Sequence, residues 1–267
     1  ATAERIPRLV ESGGRGGVRP GPGSTFSGGT AGKGKGKRKG KGKGTLRPAR
    51  KHLGIVQIRT HTWGNLSVSD QWKYAAAYQE GYAKAKGMEV EKTVSKSGAR
   101  FAFRLIPPGR FWMGSPDGEK GRDSDESRHR VVISKPFYLG TTEVTQGQWK
   151  SVTGESPWEG QDNVKNDESH PAVYISWDDV KGKLLPKMGS EFAMPTEAQW
   201  EYACRAGVTR AYYWGEEMDG AYAWYDKNAW DIGEKYAHPV GQKKASAWGL
   251  CDMSGNVWEW CSDWKEN

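Results

Sequence analysis

The sequence predicts an irregular α+β domain built of short strands, a few short helices and long structured loops. Three observations carry this reading. All fourteen tryptophans lie beyond position 62, a density that suits a domain held by aromatic anchors more than by long regular elements. Apolar runs are short and are interrupted by Gly and Pro, the punctuation of strands and turns. Helix-start signals recur three times, each ahead of a brief apolar periodicity.

Taken in order, residues 1–51 hold 14 Lys or Arg against 2 acids, Glu4 and Glu11. The run GKGKGKRKGKGKG at 32–44 offers almost no apolar side chain to offset its ordering entropy, so 1–51 is expected to be a disordered basic tail. Residues 52–98 read as a connecting segment with one helix. Ser69 is the expected cap, and Trp72, Ala75, Ala76, Tyr78, Tyr82 and Ala83 recur at helical intervals.

The main domain is expected over 99–267. Phe101, Phe103 and Leu105 alternate on one strand face, Pro107-Pro108-Gly109 breaks it, and Phe111-Trp112-Met113 restarts it, which reads as a hairpin. Thr145 followed by Gln148 forms a capping box ahead of Trp149 and Val152. Ser176 precedes the first-turn acids Asp178 and Asp179 of a helix expected to end before Pro186. Thr196 with Gln199 opens a third helix, closed by Gly207.

Composition also excludes. The net charge of +8 divides into +12 from residues 1–51 and −4 from the rest, so any polyanion affinity belongs to 1–51 and takes the form of weak electrostatic binding. No apolar run reaches membrane-spanning length. Cys204, Cys251 and Cys261 make no CxxC pair, and the five histidines show no metal-ligand spacing. Neither HExxH nor GxSxG is present, and no GxxxxGK is followed by Ser or Thr.

Six stretches in order carry a resemblance: IPPGRFWMGS at 106–115, PFYLGTTEVTQGQW at 136–149, HPAVYISWDD at 170–179, MPTEAQWEYACRAG at 194–207, HPVG at 238–241 and WGLCDMSGNVWEWCSDW at 248–264. Together they resemble the formylglycine-generating-enzyme, or sulfatase-modifying-factor, family. The resemblance implies a C-type-lectin-like variant fold. It also implies an oxidase that uses oxygen and a copper ion, held by two cysteines, to convert a cysteine of a sulfatase polypeptide to Cα-formylglycine. In the family that pair lies downstream of the WEWCSDW-like segment. Cys204, Cys251 and Cys261 do not match it, so the expectation is a domain incomplete at its C-terminus, with no catalytic residue in this chain. Cys204 is expected as a buried, unpaired thiol.

The resemblance further implies a structural calcium site formed by the side chains of Asp252 and Glu259 and the carbonyls of Gly255 and Val257. By residue type, two carboxylates seven positions apart around a turn-permitting glycine suit a hard cation. Trp258 matches a tryptophan lining the family's substrate cleft, whereas Trp260 and Trp264 read as core. A non-catalytic C-type-lectin-like module that binds a protein or other ligand is the alternative reading.

Overall fold

In the computed structural model, residues 5–12 and 63–263 are described. The strands are β1 (Arg5–Pro7), β2 (Val10–Ser12), β3 (Glu91–Lys96), β4 (Ala99–Ile106), β5 (Gly109–Met113), β6 (His129–Ile133), β7 (Phe137–Gly140), β8 (Phe192–Ala193) and β9 (Trp258–Trp260). The helices are α1 (Val68–Lys86), α2 (Gln146–Thr153), α3 (Trp177–Asp179), α4 (Leu185–Met188) and α5 (Glu197–Arg205). The expected α+β character holds. Short strands and few helices are joined by long loops, and no described helix is long and apolar enough to cross a membrane.

The central sheet has the order β3-β4-β7-β2-β8, and every pairing in it is antiparallel. β7 is buried along its whole length because both faces of the sheet are covered. On one face Leu9, Phe103, Leu105 and Tyr138 pack with Trp149 and Val152 of α2 and Met188 of α4. On the other, Val10, Ile106, Phe137 and Leu139 pack with Ala75 of α1 and with Tyr202 and Ala203 of α5. Successive side chains of one strand therefore feed two different cores.

Residues 5–12 differ most from expectation. Assigned to a disordered tail, they form β1 and β2, and β2 lies inside the sheet between β7 and β8. The reason is local: Leu9 and Val10 can each be buried on one face of the sheet, and both are. The remainder of 1–51, including the Gly/Lys run, lies outside the described residues.

The hairpin is also placed differently. β4 does not pair with β5; it pairs with β3 through Ser97 and Gly98, which take φ of 49° and 83°. Two successive left-handed residues make the tight turn whose twist matches the flanking strands. Pro107 and Pro108 instead carry the chain off the sheet to the separate β5-β6 ribbon. The boundary expected between 98 and 99 thus runs through a hairpin.

Both Thr capping boxes form as read. Thr145 and Thr196 accept from the N–H of Gln148 and Gln199, whose side chains return to the cap N–H. Ser176 and Asp179 do the same for α3. The expected stop before Pro186 gives way to a π-turn over Val180–Leu184, in which the Leu185 N–H reaches Val180 O. The helix then continues through Pro186 to Met188. The wider turn opens the hydrogen-bond ladder where proline brings no donor. α1 is capped by Ser67 rather than Ser69, and it buries Gln71 and Gln79 as well as Ala75 and Ala83. The Gln79 amide donates to the carbonyls of Leu105 and Trp248, so this helix docks through a polar contact that apolar periodicity does not reveal.

Candidate functional site

The loop from Cys251 to Val257 and the strand β9 after it hold the residues singled out by sequence. Asp252 and Asn256 adopt left-handed backbones, with φ of 58° and 67°, as their short polar side chains permit. Gly255, expected to supply the turn, is required for a different reason: a Cβ there would strike the carbonyl oxygen of Trp224. Asn256 locks the loop to the HPVG segment. Its Oδ1 accepts from His238 N at 2.9 Å, and its Nδ2 donates to His238 O at 3.1 Å and to Glu143 Oε1 at 3.2 Å.

The two expected acidic ligands have separate partners. Asp252 Oδ2 accepts the Gly241 N–H at 2.6 Å. Glu259, with a side chain only 2% exposed, accepts from Arg8 Nε at 2.7 Å, Arg8 Nη2 at 2.8 Å and Trp200 Nε1 at 2.9 Å. The Gly255 carbonyl accepts the Val257 N–H at 2.9 Å. Among the described residues, no three His, Cys, Asp or Glu side chains converge so as to hold a metal ion. Both Glu259 oxygens are thus taken, whereas Asp252 Oδ1 is buried without a hydrogen-bond partner, so of the four expected calcium ligands it is Glu259 that this arrangement withholds.

Arg8 and Glu143 belong to this site and were not found by sequence reasoning. Burial raises the Glu143 carboxyl well above its usual range, the Asp252 charge adds to this, and Arg8 opposes it. Burial likewise raises Asp252, opposed by the Gly241 N–H and by Arg8. For Arg8, burial alone would lower the guanidinium; the Glu259 charge and hydrogen bond, with Glu143 and Asp252, raise it instead. The available signal was the apolar pair Leu9-Val10 in a stretch otherwise dominated by Gly and Lys.

Trp258 lies 59% exposed on β9, while its neighbours are pinned. Glu259 points to Arg8, and Trp260, partly buried against the main core, donates from Nε1 to Ile175 O at 2.9 Å. Beyond β9, Cys261 O accepts from Trp177 Nε1, Ser262 N donates to Pro195 O, and Asp263 accepts the N–H that opens α5. β1 runs parallel to β9, with Arg5 opposite Trp258. The tryptophan thus projects from a rigid strand. Trp264 lies outside the described residues.

The three cysteines are not paired with one another. Cys204 on α5 donates to Met253 O, and burial pushes its thiol up to about 11; burial also pushes Cys251 up to about 11. A copper-thiolate centre needs thiolates brought together, so these residues do not suit the copper ion that the family resemblance implies.

This geometry defines an α+β scaffold that presents an exposed aromatic from a pinned strand, with no assembled redox pair among the described residues. Residues 91–267 match the sulfatase-modifying factor enzyme 1-like domain, and the chain belongs to that family. The formylglycine-generating enzyme of Streptomyces coelicolor is 27% identical over 60% of this chain and 68% of its own length. The mouse formylglycine-generating enzyme is also 27% identical, over 60% of this chain and 57% of its own length. Among solved structures, PvdO of Pseudomonas aeruginosa superposes with a TM-score of 0.52 at 29% identity, covering 65% of this chain and 75% of that one.

Proposed function

We propose that this chain is a sulfatase-modifying-factor-type protein whose described residues supply polypeptide recognition, with Trp258 as the contact that receives an extended segment. The exposure of Trp258 on a pinned strand carries the reading. A large rigid aromatic that loses little conformational freedom on binding is the kind of side chain that dominates recognition. Two relatives are named formylglycine-generating enzymes, which makes a cysteine-containing sulfatase segment the first ligand to try.

Oxidation of that cysteine to Cα-formylglycine is the finer form of this reading. The thiols of Cys204 and Cys251, not joined to each other and both pushed up to about 11, favour binding without oxidation, in line with the non-catalytic module. The experiment is titration of the full chain with a fluorescent peptide taken from around a sulfatase active-site cysteine, together with hydrazide capture of any aldehyde formed. The expected result is saturable binding, weakened about tenfold or more by Trp258→Ala, without aldehyde. Aldehyde formation would establish the oxidase reading; failure of the peptide to bind would remove the sulfatase segment as ligand.

A further inference from the structure

Arg8 is the most completely coordinated charge among the described residues. It is fully buried, and each of its five N–H groups has an acceptor. Nε and Nη2 reach Glu259 Oε2 and Oε1 at 2.7 and 2.8 Å. Nη1 reaches Gly140 O at 3.0 Å and Thr141 O at 3.2 Å, and Nη2 also reaches Cys251 O at 3.0 Å. These five oxygens come from the end of β7, the 251 loop and β9. Three carbonyls and a bidentate carboxylate are the ligand chemistry of a hard divalent cation, yet here a guanidinium takes every one.

We infer that Arg8 is the resident cation of this oxygen cage, so that the order of the Cys251–Glu259 loop depends on the N-terminal segment and not on calcium. The charges agree. Glu143, Asp252 and Glu259 all act electrostatically on Arg8, and the bidentate pair with Glu259 offsets the desolvation that an unpartnered buried carboxylate would suffer. The topology agrees as well. Arg8 lies between β1, which pairs with β9, and β2, which is inserted between β7 and β8. One short segment therefore delivers both the sheet contacts and the charge. It lies outside the 91–267 family match, so the cation comes from a part of the chain that the family description does not include.

The test uses the full chain. Thermal melts and calorimetric titrations with calcium chloride, against an EDTA control, are expected to show no saturable calcium binding and no shift in Tm. Arg8→Met is expected to lower Tm on the order of 10 °C, because it strands the Glu259 carboxylate. If that variant does not fold, the double variant Arg8→Met/Glu259→Leu, which replaces the pair by apolar groups, is expected to recover a cooperative melt. A saturable calcium-induced rise in the Tm of the wild-type chain overturns the inference. So does an Arg8→Met melt superimposable on wild type, or a double variant no better than the single one.

Discussion

The imidazole of His238 lies face to face on the indole of Trp224, with ring centroids 3.7 Å apart and 10° between the planes. The ammonium of Lys243 stands 3.5 Å from the centroid of the same indole. A second buried histidine, His170, is close enough to act on His238 electrostatically, and Tyr236 lies near both rings. His170 Nδ1 stands 3.5 Å from Asp167 Oδ1 and His238 Nε2 3.6 Å from Glu234 Oε2, while His170 Nε2 is buried without a hydrogen-bond partner.

The pair makes stability depend on pH in a stated direction. Burial holds both histidines below the ordinary value of 6.5. Asp167 opposes this at His170 while Lys165 adds to it; Glu234 opposes it at His238, where His170, Lys243 and Lys165 add to it. Since the folded state takes the proton less readily, the unfolded chain protonates first as pH falls. The contribution is fully present above about 6.5 and declines through the window beneath it. Melts from pH 8 to 5 should show that decline, and the double variant His170→Gln/His238→Gln should flatten it. An unchanged pH slope in the variant would count against the assignment.

Leu9 distinguishes an interior strand from a linker. It is 2% exposed and packs in the main core beside Phe103 and Tyr138. Leu9→Ala is expected to cost about 2–5 kcal/mol, read by urea denaturation. A loss below about 0.5 kcal/mol, the usual effect of a surface change, would mean that the segment leading into β2 is not part of the folded core.

The cysteines predict a reactivity order. With thiols pushed up to about 11, Cys204 and Cys251 carry little thiolate at pH 8. Iodoacetamide labelling followed by peptide mass spectrometry should leave both unmodified in the native chain and modify both in denaturant. Rapid native labelling of Cys204 would contradict its burial against Met253 and Ser254.

Legibility in the sequence followed the range of the interaction. Thr145 with Gln148 and Thr196 with Gln199 could be read because a capping box is complete within four residues. The alternation of Phe101, Phe103 and Leu105 marked a strand correctly, but its partner was misread. The Pro107-Pro108 break looked like a hairpin turn, while the turn actually used, Ser97-Gly98, has weaker punctuation. At 252–259 the turn was not legible in detail: Asp252 and Asn256 take the left-handed conformations, and Gly255 clears a carbonyl.

By itself the sequence determined the α+β class, the family and the three capping boxes, since each is written in patterns a few residues long or in motifs kept in order. Only the tertiary structure decided that β1 pairs with β9, that β2 lies within the central sheet, and that Glu259 is matched by Arg8. Those two residues stand 251 positions apart. Their pairing exists because folding removes both charges from water to one place, where each becomes costly without the other, and no local periodicity records that.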